Sequence, residues 1–232
     1  HMHRHGVWVD LEQPSEEEIH DIALEFGIGE RIEAELLSPT PSPLVAGEQE
    51  LALSILHFPV SADESGIVGS QEVDIIVGRS FLITVRYEVV ASLDGLRRIL
   101  ETEELVSGHA SLSTDALLEV LFAHLYDAVR EEARLLEGRL SLIEREMFSG
   151  RDRSSVRAIS DVNRSYLHLE STLRGQEEPL ERFLRSLSER DFFGPSFKER
   201  AARILAEQTQ VTHLIQMHRA MAVELRETNQ SL

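Results

Sequence analysis

The sequence predicts a chain of the α+β or α/β class, in which a small mixed-sheet domain precedes a long antiparallel helical hairpin and a long C-terminal helix. Three observations indicate this fold class. Short apolar runs separated by turn residues fill residues 1–112, two long helical patterns fill residues 113–190, and one further helical pattern fills residues 195–232. Because strand-like and helix-like periods occupy different parts of the chain, we expect three structural units with these boundaries.

The strands are predicted in the first of these units. Four runs rich in β-branched or aromatic residues predict them, at residues 7–11, 51–58, 73–77 and 81–87. Pro59 should end the second strand, and residues 78–80 should form a tight hairpin between the last two. Residues 38–43 contain three prolines and should be an exposed loop. No glycine-rich phosphate loop follows any of the four runs, so nucleotide binding has no support.

Two short helices accompany these strands. Ser15 and Glu18 form a capping box at the start of the first helix, and Gly27 is a typical residue for its end. Apolar residues at helical spacing predict the second helix over residues 92–103. Strands and helices in this order are typical of a small layered α/β domain.

Two long amphipathic patterns follow, over residues 113–148 and 154–189. In each of them, apolar residues recur at intervals of three and four, which is the period of a helix with one buried face. Ser149 and Gly150 separate the two patterns. We therefore expect an antiparallel hairpin with this break at its tip.

The final helix carries a seven-residue repeat. Ser196 with Glu199 predicts its start as a capping box. The repeat interleaves apolar and polar residues, namely Ile204, Gln208, Val211, Ile215, His218, Ala222, Leu225 and Asn229. A helix of about 36 residues is roughly 54 Å long, so we expect it to pack against copies of itself rather than against its own domain. Gln208, His218 and Asn229 would then line a hydrated axis or pore; alternatively, they only fix the register or the number of helices.

The charge of the chain is strongly negative and unevenly distributed. Its 232 residues include 41 Asp and Glu, 23 Lys and Arg, and no Cys, for a formal net charge of −18. This charge excludes a basic nucleic-acid interface, and the lack of Cys excludes disulfides and thiolate metal sites. Residues 1–115 contain 22 acids and 6 bases, a net charge of −16, whereas residues 116–232 carry −2. The acidic first half predicts a cationic partner, with a merely well-solvated surface as the alternative.

The sequence shows neither a membrane span nor a catalytic motif. No stretch approaches about 18 uninterrupted apolar residues, and the first residues lack the apolar core of a signal peptide. The start His1-Met2-His3 resembles a remnant of an expression vector, so residues 1–5 are kept out of metal assignments. Because no membrane span is evident, we expect a soluble chain. Because no nucleophile motif is present, we expect that it is not an enzyme.

Three motifs occur along the chain in an order that is found in one known family. Residues 7–18 are similar to its opening W-(I/V)-D-L-x-x-P-(T/S)-x-x-E, and residues 73–85 to its strand pair ending in (F/Y)-L-(I/V)-T-(V/F). Residues 117–127 are similar to its L-L-x-x-L-(I/L)-D helix. Together the motifs resemble the CorA family of divalent-cation transporters. The chain departs from that family at residues 38–43, which replace a basic R-P-K segment.

The resemblance implies a cytoplasmic domain of a membrane protein. The family assembles as a homopentamer around a pore, and the final helix of this chain would be the stalk that leads toward a first membrane span. The soluble domain of the family senses Mg²⁺, and Co²⁺ and Zn²⁺ are the alternative ions. The resemblance aligns Asp94 with one metal-binding carboxylate and Glu199 with another. From the sequence alone, a helix N-cap is the alternative role for Asp94, and the capping box is the alternative for Glu199.

We therefore expect the regulatory domain of a CorA-like transporter of Mg²⁺ or Co²⁺. Cations bound between carboxylates of neighbouring subunits would stabilise the closed state, because hard divalent ions prefer oxygen ligands. The full-length protein would lie in the cell membrane with this domain in the cytoplasm, and with no nucleic-acid partner. A ZntB-like zinc transporter and a soluble oligomeric coiled-coil scaffold without a transport role are the alternatives.

Overall fold

Strands and helices follow one another along the chain as twelve described elements. The structure, a computed structural model, describes residues 1–5, 7–48, 50–60, 68–107, 112–148 and 152–231. The strands are β1 (Met2–His5), β2 (Trp8–Glu12), β3 (Leu44–Glu48), β4 (Leu51–Val60), β5 (Gly69–Gly78) and β6 (Leu82–Arg86). The helices are α1 (Glu16–Phe26), α2 (Glu30–Glu35), α3 (Ala91–Ser107), α4 (Thr114–Phe148), α5 (Asp152–Glu189) and α6 (Phe197–Ser231). The predicted break at Ser149 and Gly150 lies outside the described residues.

The six strands form one mixed sheet with the order β1-β2-β6-β5-β4-β3. β2 and β6 run parallel, and all the other neighbouring strands run antiparallel. β5 and β6 form the predicted hairpin, in which the Gly78 N–H donates to the Phe81 carbonyl at 3.0 Å. The mixed sheet that the sequence predicts is therefore confirmed.

The first helix has the ends that the sequence predicts. The Glu18 N–H donates to Ser15 Oγ at 3.2 Å, and the Ser15 N–H donates to Glu18 Oε2 at 2.9 Å. Gly27 ends the helix with a φ of 67°, in the left-handed region that favours glycine. This local chemistry fixes α1 without help from distant residues.

The structure differs from the prediction at Pro59 and at the short elements. β4 continues through Pro59 to Val60. β3 pairs with β4 only up to Ile55, so among the described residues this end of β4 has a strand on one side, and a proline is tolerated there. β1, β3 and α2 have no counterpart among the predicted elements, because each is too short to show a clear period.

The sheet is buried on both faces. α1 and α2 cover one face, where Ile19, Ile22 and Ile32 pack against apolar strand residues. The later helices cover the other face, with Trp8 and Phe122 in a second cluster. Because successive strand residues point to opposite faces, the inner strands supply both clusters and read as nearly continuous apolar runs.

The three long helices pack together on that second face. α4 and α5 are antiparallel, as predicted. The Tyr126 hydroxyl donates to Gln176 Oε1 at 3.0 Å, and further along the hairpin the Tyr166 hydroxyl donates to the Ala133 carbonyl at 3.5 Å. Within the described residues, no helix combines the length and the apolar character that a membrane span requires.

The seven-residue repeat of α6 is buried within its own chain. Five repeat residues are at most 2% exposed, namely Ile204, Gln208, Val211, Ile215 and Ala222. The expectation that this helix packs against copies of itself rather than against its own domain is therefore wrong for these five residues, whereas His218 and Leu225 are half-buried. The reason is length, since α4, α5 and α6 have 35, 38 and 35 residues, and the hairpin offers α6 an apolar groove over most of its length.

Candidate functional site

Asp94 lies in the first turn of α3 and faces two arginines. Asp94 Oδ1 accepts a hydrogen bond from Arg86 Nη2 at 2.7 Å, and Arg97 Nη2 lies 3.5 Å from the same oxygen. The helix begins at Ala91, and the Asp94 N–H donates to the Val90 carbonyl at 3.2 Å. Asp94 is thus inside the helix, and its alternative assignment as an N-cap is wrong.

Arg86, the last residue of β6, is fully buried at the centre of this cluster. Its Nη2 also donates to Asp10 Oδ2 at 3.0 Å and to Glu12 Oε2 at 3.1 Å. Asp10 and Glu12 are two residues apart on β2, which runs parallel to β6 with Glu12 opposite Arg86. Both side chains therefore leave the sheet on one face, where α3 brings Asp94.

Asp10 is held in place by a chain of hydrogen bonds. Thr84 Oγ1 donates to Asp10 Oδ1 at 2.7 Å, and Trp8 Nε1 donates to Thr84 Oγ1 at 3.0 Å. All three residues are buried. Trp8 and Asp10, which belong to the opening motif of the sequence, thus fix the geometry around Arg86.

The cluster carries more negative than positive charge. Burial opposes the charge of Arg86, but the carboxylates of Asp94 and Asp10 raise its pKa above the usual range. Asp94 lies at the edge of the cluster, with 15% of its side chain exposed. Both arginines lie against the same oxygen of Asp94, Oδ1.

Glu199 lies in the first turn of α6, and its side chain is exposed. α6 begins directly after Ser196, and the Glu199 N–H donates to the Ser196 carbonyl at 3.2 Å. Among the described residues, no hydrogen bond or ion pair joins Glu199 to Asp94. In that part of the chain, no group of three or more His, Asp or Glu side chains is arranged to hold a metal ion. The described residues thus show no contact between the two predicted carboxylates.

Ion pairs fasten α6 to the hairpin close to Glu199. Arg200 Nε lies 2.8 Å from Asp115 Oδ2, and both Arg200 and Arg203 bind Glu119 of α4. The Arg203 and Arg200 guanidinium groups lower the pKa of Glu119, although burial opposes this change. Glu199 therefore lies beside the ion pairs that join the start of α6 to α4.

The predicted pore residues have different surroundings. Gln208 Nε2 donates to the Leu173 carbonyl of α5 at 2.8 Å, and Gln208 is 2% exposed. Gln208 therefore faces the hairpin of its own chain and not an axis between copies, which corrects the expectation. His218 is half-buried, with its ring edge-on to that of Tyr166 at a centroid distance of 6.0 Å. The side chain of Asn229 lies outside the described residues.

Gln208→Leu should change the free energy of unfolding by less than about 1 kcal/mol. Leucine fills a similar volume, and the Leu173 carbonyl keeps its place in the hydrogen-bond ladder of α5. Urea denaturation measures the stability, and size-exclusion chromatography measures the number of copies. A changed number of copies would assign Gln208 to an interface between chains.

One family model covers almost the whole chain. It is described as "CorA-like Mg2+ transporter protein" and matches residues 4–232. The chain belongs to the CorA-like Mg²⁺ transporter family. The resemblance that the sequence motifs indicate is therefore confirmed. None of the curated proteins matches this CorA-family chain.

Solved structures of CorA-like proteins share the fold. The complete CorA magnesium transporter from Methanocaldococcus jannaschii gives a TM-score of 0.80 at 16% sequence identity, over 97% of this chain and 69% of that chain. The soluble domain of CorA from the same organism gives 0.79 at 16% identity, over 97% and 88% of the two chains. The ZntB cytoplasmic domain from Vibrio parahaemolyticus RIMD 2210633 gives 0.76 at 14% identity, over 97% and 86%. The predicted fold class is thus confirmed as that of the CorA soluble domain.

Proposed function

We propose that this chain is the cation-sensing regulatory domain of a CorA-like Mg²⁺ transporter, and that it works as a homopentamer whose stalk helix leads into the membrane. The observation that carries this proposal is the match of residues 4–232 to the CorA-like Mg²⁺ transporter family. The net charge of −16 over residues 1–115 supports a cation as the regulatory ligand.

Repulsion between acidic neighbours would supply the energy for sensing. Carboxylates that meet across a subunit interface disfavour the closed arrangement unless a cation lies between them. Mg²⁺ keeps several of its waters and therefore needs only one or two carboxylates. Bound Mg²⁺ favours the closed state, and its loss shifts the population toward open arrangements. α6 carries this shift to the pore, because ion pairs join it to α4 near Glu199.

Asp94 and Glu199 are the ligands that we propose, from facing subunits. Arg86 fixes the position of Asp94 before a cation arrives, and the edge of the Asp94 side chain remains exposed. Three carboxylates around the guanidinium groups of Arg86 and Arg97 leave an excess negative charge beside Asp94, which favours a hydrated divalent cation. Glu199 is exposed at the start of the stalk helix, where a neighbouring copy can approach it.

A zinc-transporting relative is the second candidate, because the ZntB cytoplasmic domain shares the fold with a TM-score of 0.76. Zinc sites in proteins draw mainly on Cys and His, with carboxylates as further ligands. This chain has no Cys, and both proposed ligands are carboxylates. These ligands favour Mg²⁺ over Zn²⁺, with Co²⁺ as a further ion that they accept.

Mg²⁺ should raise the melting temperature of the wild-type chain, and Asp94→Asn should reduce that shift. A ligand at ten times its dissociation constant stabilises the folded state by about 1.4 kcal/mol, which corresponds to a few degrees for a chain of this size. Differential scanning calorimetry at millimolar Mg²⁺ measures the shift. Analytical ultracentrifugation under the same conditions measures the association of copies.

Glu12→Gln is the matched control, because Glu12 also binds Arg86 but is not a proposed ligand. It lowers the negative charge near Asp94 but keeps both proposed ligands, so it should keep a larger part of the wild-type response to Mg²⁺ than Asp94→Asn does. Equal responses of Asp94→Asn and the wild type would remove Asp94 from the site, and no response of the wild type would contradict cation sensing. A larger shift with Zn²⁺ than with Mg²⁺ would favour the ZntB-like function. Association of copies without any response to cations would favour the scaffold.

A further inference from the structure

Two acidic side chains are buried on the face of the sheet that α1 and α2 cover. Glu72 and Asp74 are two residues apart on β5, and they are 8% and 0% exposed. Because strand residues two apart point to the same side, their carboxyl groups are neighbours. His57 of β4 pairs with Glu72. The cluster is separate from that of Arg86, which lies on the opposite face of the sheet.

Each carboxyl group uses one oxygen to hold a neighbouring segment. The Thr40 N–H donates to Glu72 Oε2 at 2.6 Å. The hydroxyl oxygen of Tyr87, which follows β6, lies 3.1 Å from Asp74 Oδ2 and 3.0 Å from the Leu36 carbonyl oxygen. Leu36 and Thr40 both follow α2, so the two carboxyl groups hold the loop between α2 and β3 against the sheet.

The acceptor atoms of this cluster outnumber its hydrogen donors. The second oxygens, Glu72 Oε1 and Asp74 Oδ1, are buried and have no hydrogen-bond partner among the described residues. The Tyr87 hydroxyl has one hydrogen for its two acceptors. His57 Nε2 lies 2.9 Å from the Thr40 carbonyl oxygen and 3.4 Å from Glu72 Oε2. Two buried carboxylates with unsatisfied oxygens are costly to keep ionised together, and one added proton supplies the missing donor.

We propose that Glu72 and Asp74 hold one proton between them at neutral pH, and that this proton keeps the loop between α2 and β3 in place. Asp74, the more deeply buried of the two, is the acid, and Glu72 is the carboxylate. The proton of Asp74 is donated to Glu72 or to the Tyr87 oxygen, whose own hydrogen then goes to Leu36. Loss of the proton leaves two negative charges buried side by side. The contacts that keep the loop between α2 and β3 against the sheet are then weakened.

The groups around the pair support this assignment. Burial and the charge of Glu72 raise the pKa of Asp74 well above its usual range, Glu35 of α2 adds to the effect, and the Tyr87 hydroxyl opposes it. The Glu72 carboxylate raises the pKa of His57, although burial opposes this change. Burial, Glu72 and Glu35 of α2 thus outweigh the Tyr87 hydroxyl and make a negative charge on Asp74 unfavourable.

A cavity of 280 Å³ lies beside the pair and is lined by Glu72, His57 and Tyr87. Glu88 is a further titratable group on its wall, and Glu88 Oε2 accepts a hydrogen bond from Gln71 Nε2 at 3.1 Å. No Lys or Arg is among the described residues that line the cavity. Water in this space can exchange a proton with the pair, and neither a lysine nor an arginine there neutralises a second charge.

The pH dependence of stability tests the proposal. A carboxyl group whose pKa is raised in the folded state adds stability that is complete below its unfolded pKa and is lost as the pH rises through the folded pKa. From about pH 5 upward, the wild-type chain should lose a factor of about ten in its folding equilibrium constant for each pH unit in this window. Asp74→Asn should lack this loss, because asparagine is neutral and its amide supplies a donor for Glu72.

Two control variants separate Asp74 from other titrating groups. His57→Gln removes the neighbouring imidazole. In this background, Asp74→Asn should still change the pH dependence of stability as it does in the wild-type chain. Asp127→Asn, at a carboxylate whose side chain is 70% exposed, should keep the wild-type slope. Equal pH slopes in Asp74→Asn and the wild type would overturn the proposal.

A second measurement on the wild-type chain does not depend on how the variants fold. Carbon-13 NMR of side-chain carboxyl groups should show Asp74 still protonated at neutral pH, and the exchange of the Thr40 amide hydrogen should accelerate beyond its intrinsic rise as Asp74 ionises. The proposal would be overturned if Asp74 ionised at about pH 4, in the same range as the exposed carboxyl groups. Millimolar Mg²⁺ should leave both readouts unchanged, and a shift of the Asp74 titration by Mg²⁺ would identify a cation site in place of the proton.

Discussion

Arg86→Met should lower the free energy of unfolding by about 3–5 kcal/mol. Methionine keeps much of the apolar stem but leaves Asp10 and Asp94 without the positive partner that they share. Asp10 is 1% exposed, so its charge would be buried and unpaired at neutral pH. The first turn of α3 would also lose its ion pair with β6. Urea denaturation at neutral pH measures the loss.

Arg185→Met is the matched control, since it makes the same change in an exposed ion pair. The side chains of Arg185 and Glu181 are 59% and 54% exposed, so we expect a loss below about 1 kcal/mol. The loss of stability in Arg86→Lys should lie between those of the two methionine variants, because one ammonium group cannot match the guanidinium contacts with three carboxylates. Similar losses in the two methionine variants would contradict the central position of Arg86.

The long helices could be predicted because their patterns extend over many turns. The predicted ranges 113–148 and 154–189 agree within two residues with Thr114–Phe148 and Asp152–Glu189. β3 could not be predicted in this way. Leu44–Glu48 contains Ala46 and Gly47, and none of its residues is fully buried. Its position at the edge of the sheet depends on pairing with β4, which five weakly apolar residues do not specify.

A repeat identifies the buried face of a helix but not what covers it. The repeat of α6 predicts the buried face correctly, since Ile204, Val211 and Ile215 are almost fully buried. A polar member such as Gln208 is compatible with a hydrated axis and with an internal partner, and the Leu173 carbonyl is that partner. The choice between a second copy and the hairpin of the same chain depends on tertiary contacts, which the period does not contain.

The candidate site could be predicted only in part. The resemblance marks Asp94, but no motif marks Arg86. Arg86 meets Asp10 and Glu12 across 76 and 74 residues of sequence, through the parallel pairing of β2 with β6. The sequence does place Arg86 as a charged residue in an otherwise apolar strand, and Asp74 is placed in the same way in the preceding strand. Such a residue needs a buried partner, but only the fold says which one.

Gln176→Leu should lower the free energy of unfolding by about 2–4 kcal/mol. Gln176 of α5 is fully buried and joins three elements. Its Oε1 accepts a hydrogen bond from the Tyr126 hydroxyl of α4 at 3.0 Å, and its Nε2 donates to the His57 carbonyl of β4. Leucine would leave a buried hydroxyl and a carbonyl without these partners, and each such group costs about 1–3 kcal/mol. Thermal and urea denaturation measure the loss.

Gln208→Leu makes the same chemical change at an almost equally buried glutamine, so it separates the loss of a partner from the loss of glutamine itself. The double variant Tyr126→Phe with Gln176→Leu removes the orphaned hydroxyl and should recover about 1 kcal/mol of the loss. Together with Tyr126→Phe alone, these variants form a cycle that measures the polar coupling between α4 and α5. The hydrogen bond from Gln176 to the His57 carbonyl also connects this hairpin layer to the sheet layer. A loss below about 0.5 kcal/mol in the single variant would mean that apolar packing joins the two layers without help from Gln176.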